Sequence, residues 1–193
     1  MALGLKHCFA LDLSAACSGY IYSLNTATAL IESGQCNNVL IVSCEKLTKD
    51  VNWKDRGTAI LFGDAATASL ITTRDDGKGI IGIHMQSEPD MSIVLNGGSV
   101  CPIRADDLES PEFKIHMDGS ETFKRAVTEF SNSIDKVLAS TGKQLSDVSF
   151  FVPHQANLRI MQAVAKRIGP VSYTHLTLPT ITVRCRSRWS PYH

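Results

Sequence analysis

The 193-residue chain has no excess charge of either sign. Nineteen Lys+Arg balance nineteen Asp+Glu. A nucleic-acid binder usually carries a basic excess or stripe, so that class is disfavoured. No apolar run approaches the roughly 20 residues a membrane span needs. The opening MALGLKHCFALDLS lacks the form of a secretory signal, because Lys6 and His7 break its apolar run. Short repeats and low-complexity tracts are missing. None of the six cysteines (Cys8, Cys17, Cys36, Cys44, Cys101, Cys185) forms a CxxC pair, so neither a zinc knuckle nor a thioredoxin-type site is indicated. We read them as reduced thiols of a cytoplasmic protein, most of them small buried hydrophobes. The hydrophobic fraction of 44% with 20% charged residues excludes wholesale disorder.

What is present alternates between strand-like and helix-like patterns, which points to an α/β fold. Strands are expected at 9–13, 39–43 (covered on both faces), 59–62, 66–72, 79–85 and 148–152. A buried helix is expected at 20–32, closed by Gly34. An amphipathic helix is expected around Phe123, Val127, Phe130, Ile134 and Leu138, ended by Gly142, and a second over 158–168. Residues 86–112 have no clear period. Beyond Gly169 the pattern stops. Residues 170–193 carry three arginines and no acid, and we read them as a non-native or disordered tail.

Strand–turn–helix occurs twice, at 9–33 and 148–168. The first turn holds Cys17 and the second His154. Ligands of open α/β folds bind beyond the carboxyl ends of strands. A cysteine just before a helix meets unpaired N–H groups and the positive end of the helix dipole, which favours the thiolate. A histidine at a strand end can donate to a thiolate or to a substrate oxygen. The plain alternatives are a packed thiol and a surface imidazole, and spacing alone leaves both open.

The wording of the motifs adds a resemblance. ALDLSAACSGYIYSL, DRGTAILFGDAATASLI, MDGSETFKRAV and FFVPHQANLRIMQAVAKRIG occur in this order. Together they resemble the 3-oxoacyl-[acyl-carrier-protein] synthase III family, the β-ketoacyl synthases III of fatty-acid synthesis. The resemblance implies a thiolase-like α/β fold of duplicated halves in αβαβα layers, incomplete in this chain. Residues 1–72 would be the later part of the first half, 73–169 the start of the second, and 170–193 the tail.

It further implies an acyltransferase that condenses an acyl-CoA primer with malonyl-acyl carrier protein, releasing carbon dioxide. Cys17 matches the acyl-accepting nucleophile and His154 the catalytic histidine. Arg56, with Trp53 close by, matches the position that holds coenzyme A. Asn157 matches a residue near the pantetheine arm, and Gly119 a position lining the tunnel. Arg159 matches a residue that docks the acyl carrier protein, with Lys166 and Arg167 extending that patch. No metal, flavin or nicotinamide is implied, and the intact protein would be a cytoplasmic homodimer. Departures are Ser120 where asparagine is common and FGDAATA where a glycine-richer string is usual. The family's third catalytic residue, an asparagine, and its glycine-rich oxyanion segment have no counterpart. The alternative is an inactive fragment, or a carrier-protein-binding or dimerisation module that keeps at most the acyl-transfer half-reaction.

Overall fold

The computed structural model describes residues 4, 7–95 and 110–168. Cys101, Cys185 and the stretch 170–193 lie outside the described residues. The chain divides into two compact units. One comprises Met1–Val51 with Phe62–Ser87, the other Asn52–Leu61 with Glu88–His193. The second unit therefore takes its first ten residues from inside the span of the first.

The first unit is one helix against a two-stranded sheet. Helix α1 runs Gly19–Glu32. It ends as the sequence predicts, with Gly34 at φ +73°. The Gly34 N–H donates to the Ile31 carbonyl and the Gln35 N–H to the Leu30 carbonyl, both at 3.0 Å, which makes a Schellman close. Strand β1 (Asn38–Lys46) pairs antiparallel with β2 (Asp64–Thr72), in register from Asn38 opposite Thr72 to Lys46 opposite Asp64. At that latter end Asp64 grips Thr48. Its carboxylate accepts the Thr48 N–H at 2.9 Å and the hydroxyl at 2.7 Å. These two bonds, the hydroxyl's the stronger, hold the Asp64 carboxyl below the usual aspartate range.

Alternation along a strand sends successive side chains to opposite faces. Ile41 is buried on the face that α1 covers, where the Tyr20 hydroxyl reaches Ser69 Oγ at 3.3 Å. The other face stays open. Val42 is 63% and Leu70 65% exposed. The sequence expectation of a strand covered on both faces is thus corrected to one covered face. Helix α1 is likewise not buried all round; Ala27 is its one buried residue. Cys8, Cys17 and Cys44 are exposed thiols and Cys36 is half-buried, so the expectation of mostly buried cysteines is also corrected.

The second unit contains a short helix α2 (Arg56–Ala59), strands β3 (Ile93–Leu95) and β4 (Ile115–Met117) paired antiparallel, and helices α3 (Gly119–Thr141) and α4 (Leu158–Ile168). Asp118 caps α3, accepting the Ser120 and Glu121 N–H groups at 3.0 and 2.9 Å. Such a cap contributes about 1 kcal/mol. Gly142 ends α3 at φ +65°, a left-handed conformation that costs a residue with Cβ roughly 1–2 kcal/mol. Helix α4 packs on α3 through Ile160, Met161, Val164 and Ala165, all buried. Full burial of a side chain like Met161 contributes about 1.5–3 kcal/mol. Arg125 ties the start of α3 to the approach to β3, reaching Glu121 at 3.2 Å and Asp90 at 3.4 Å.

Four expected strands do not form. Residues 9–13, 79–85 and 148–152 carry no strand pairing. Phe9, Leu11 and Leu13 are exposed, as are Ile81, Phe150 and Val152. Their apolar patterns are strand-like, but a strand exists only where a neighbour supplies the ladder. The fourth, expected at 59–62, gives way to a helical turn over 56–59 followed by turn residues 60–61, the helix being capped by Asp55, which accepts the Gly57 N–H at 2.9 Å.

Candidate active site

In the first unit, Cys17 sits at the middle of a 3-10 turn, Ala16–Ser18, that runs straight into α1. Ala16 has φ +44° and is the one non-glycine with positive φ among the described residues. Holding an alanine there costs about 1–2 kcal/mol. The strained step lets the chain turn between the 9–13 segment and the helix. The Ser18 side chain makes no capping bond to α1. The exposed Cys17 thiol therefore lies at a helix start that its N-cap hydroxyl leaves uncovered, a place that favours negative charge. Small neighbours, Ala15, Ala16, Ser18 and Gly19, leave the sulfur accessible. These features suit a nucleophile that takes an acyl group and passes it on.

The remaining expected site residues are in the second unit. His154 lies in the irregular segment between α3 and α4, three residues before Asn157. It is exposed as a residue, yet neighbouring chain withdraws enough water from the ring to disfavour the cation and lower its pKa. A neutral imidazole can donate one hydrogen bond to a developing oxyanion.

Asn157 is the N-cap of α4. Its Oδ1 accepts the Arg159 N–H at 2.8 Å and its carbonyl accepts the Met161 N–H at 3.2 Å. Arg159 and Lys166 are exposed. Seven helical residues bring a side chain back to within about 20° of its start, so the two lie on one stripe. That stripe faces away from buried Ile160, Met161, Val164 and Ala165. Arg167 lies further round, and its Nη1 donates to Thr128 Oγ1 on α3 at 3.2 Å.

Trp53 and Arg56 are both exposed, Trp53 by 67%. Arg56 opens α2, which packs on β4. Gly119 begins α3 two residues after β4 ends. The fold thus brings Arg56 and Gly119 to one corner of the second unit. Asp55 anchors that corner. Its carboxyl is held below the usual aspartate range, chiefly by the Thr58 hydroxyl and then by the Gly57 N–H, with His116 adding a smaller attraction. A Cβ on Gly57 would stand 3.2 Å from Asp55 Oδ1, so a larger residue would crowd the cap.

Three groups escaped the sequence reading: Ala16, Asp118 and the cap made by Asn157. Asp118-Gly-Ser-Glu121 has the spacing of a capping box, which was a readable signal for the second. A positive φ at an alanine has no sequence signal. No cluster of His, Cys, Asp or Glu with metal-binding geometry occurs among the described residues. None of the described helices is long and apolar enough to cross a membrane.

Two family models match the chain. Residues 11–89 match 3-oxoacyl-[acyl-carrier-protein] synthase III, and residues 138–175 match the C-terminal part of the same family. The chain is similar to the β-ketoacyl-[acyl-carrier-protein] synthase III of Campylobacter fetus, 41% identical over 169 residues, covering 86% of this chain and 51% of that protein. Among solved structures it is similar to the β-ketoacyl-[acyl carrier protein] synthase III of Thermus thermophilus, with TM-score 0.72 and 36% identity over 87% of this chain and 52% of that one. It is also similar to the 3-oxoacyl-[acyl-carrier-protein] synthase III of Aquifex aeolicus, with TM-score 0.70 and 36% identity over 86% and 50% of the two chains. The chain spans about half the length of the curated relatives it matches.

Proposed function

The chain belongs to the 3-oxoacyl-[acyl-carrier-protein] synthase III family, and from that premise we propose that it carries the nucleophile and the histidine of a decarboxylating condensation. Its α/β fold is thiolase-like and incomplete in this chain. The observation that carries the proposal is the strained turn that sets exposed Cys17 at the uncovered start of α1.

The Cys17 thiolate attacks the thioester carbonyl of an acyl-CoA primer, acetyl or short and branched. The bond to the coenzyme A sulfur breaks, coenzyme A leaves as its thiolate and takes a proton from water, and the acyl group stays on Cys17. Arg56, with Trp53 beside it, holds the nucleotide end of coenzyme A; Gly119 and Asn157 line the way for its arm. Malonyl-acyl carrier protein then docks on the Arg159 and Lys166 stripe. Its carboxylate leaves as carbon dioxide, and the electron pair passes into an enolate whose oxygen accepts a hydrogen bond from His154. The enolate carbon attacks the acyl-Cys17 carbonyl, forming a carbon–carbon bond and returning the thiolate. The product is 3-oxoacyl-acyl carrier protein. Two covalent steps replace one hard condensation, and a hydrogen bond to the enolate is strongest where water is excluded. The reading uses no resident cofactor; acyl-CoA and the carrier protein are substrates. It treats the intact protein as a cytoplasmic homodimer whose second half begins near residue 73.

A second reading has one observation in its favour, the complete basic stripe on α4. On it the chain binds acyl carrier protein and performs at most the acyl transfer.

The two half-reactions separate these readings. The chain is given labelled acetyl-CoA, then malonyl-acyl carrier protein, and acylation and carbon dioxide release are followed separately. The proposal expects Cys17→Ala to lose acylation. It expects His154→Ala to keep acylation and lose carbon dioxide release. Acylation without condensation by the unsubstituted chain favours the second reading. Retained carbon dioxide release in His154→Ala refutes the role given to the histidine.

A further inference from the structure

Asn157 has two ends, an amide oxygen and an amide nitrogen, and the oxygen is committed. It accepts the Arg159 N–H at 2.8 Å while the Asn157 carbonyl accepts the Met161 N–H at 3.2 Å. Both bonds lie in the first turn of α4, so together they fix the angle at which the chain enters the helix. Helix α4 is itself held firmly. Ile160, Met161, Val164 and Ala165 are buried, and Arg167 is bonded to Thr128 of α3. Upstream, from 148 to 157, the chain has no helix and no strand, with bends at Ser149 and Ala156. His154 sits within that stretch, three residues before the cap.

We propose that Asn157 is a positioning residue for His154: by capping α4 it transmits the seat of that helix on α3 to the turn that carries the imidazole. The proposal rests on the catalytic role given above to His154, and it gives the side-chain oxygen of Asn157 a task besides lining the way for the substrate arm.

The two tasks call for different chemistry, and that makes them separable. Capping needs a short side-chain oxygen, so serine substitutes well, whereas alanine has no acceptor and glutamine holds its amide one methylene too far out. Contact with a substrate arm needs an amide, so glutamine is the better substitute and serine the poorer one.

The test is made on the full chain without substrate, by following the His154 ring signals by nuclear magnetic resonance against pH. Hydrogen exchange at the Arg159 amide reports the cap directly, and the His116 ring on β4 reports that the unit remains folded. In the unsubstituted chain His154 titrates below the ordinary histidine range, because its ring is partly shielded from water. Asn157→Ser is expected to keep that midpoint and to leave Arg159 exchange as protected as in the unsubstituted chain. Asn157→Ala and Asn157→Gln are expected to speed that exchange and to raise the His154 midpoint toward the ordinary value, with the His116 signal in place. A His154 midpoint that stays put while Arg159 exchange accelerates overturns the proposal. So does a raised midpoint in Asn157→Ser with the cap still protected. Neither result depends on turnover, so failure here is distinct from failure of the catalytic reading, which carbon dioxide release by His154→Ala decides.

Discussion

Reversing the charges on the outer stripe of α4 should weaken carrier-protein binding by an amount that the helix geometry sets. Arg159 and Lys166 are exposed and seven residues apart, which places them about 10 Å apart along the axis on nearly one line. That distance is close to the Debye length of about 8 Å at physiological salt, so the two charges act almost independently. An exposed ion pair is worth about 0.2–1 kcal/mol. Reversal replaces that attraction by a repulsion of similar size. The double variant Arg159→Glu/Lys166→Glu should therefore lose about 2 kcal/mol, roughly a 30-fold rise in Kd. The assay is fluorescence anisotropy of labelled acyl carrier protein titrated with the chain at low and high salt. At about 1 M salt, where the Debye length is near 3 Å, the two proteins should bind within a few-fold of each other. Lys124→Glu, on α3 beside Glu121, is the control and should leave affinity unchanged. Unaltered binding of the double variant at physiological salt refutes the docking surface. A loss that persists at high salt refutes its electrostatic basis.

Other perturbations have outcomes as definite. Met161→Ala removes a side chain 1% exposed and should cost about 2–4 kcal/mol, read as a lower urea midpoint of the α3–α4 unit; an unchanged midpoint refutes the packing described. Asp118→Ala should lose about 1 kcal/mol while Asp118→Asn stays near the original, because asparagine still caps; equal losses in thermal melts would deny the cap. The His154 pKa is lower in the folded chain, so between that value and the unfolded one the unfolded state holds more protons. Stability should thus fall as pH drops from neutral through the ordinary histidine range, and His154→Gln should remove this slope. Asp55, Asp64, Asp76 and Asp90 are all lowered. Their contribution is complete above the ordinary aspartate pKa and should be lost only as pH falls through their folded values, giving a second, more acidic loss in a pH-dependent melt.

The parts of the fold that were legible in the sequence are those whose cause is local. Helices α3 and α4 follow from their apolar spacing, and the ends of α1 and α3 follow from Gly34 and Gly142, which take the left-handed turn without the strain a Cβ brings. Strands β1 and β2 find each other inside the chain and form. The segments 9–13, 79–85 and 148–152 have equally apolar patterns, but a ladder partner is a property of the neighbour and not of the segment. Ala59, Ile60, Leu61 and Phe62 suggest a strand by their apolar run, but Asp55 caps a helical turn at 56–59 that takes the first of them. The chemistry of the turns was legible as residue type, cysteine before one helix and histidine before another. The strain at Ala16 and the committed oxygen of Asn157 were not, since both belong to backbone geometry that only the folded chain displays.

The most direct test of the account is mass spectrometry of the chain after incubation with acetyl-CoA and proteolysis under conditions that preserve thioesters. Three other thiols among the described residues, exposed Cys8 and Cys44 and half-buried Cys36, compete for the label, so position matters as much as occupancy. The account predicts one acetyl group on the peptide containing Cys17, absent from Cys17→Ser. An unlabelled Cys17, or an acetyl group shared among the other thiols, would contradict it.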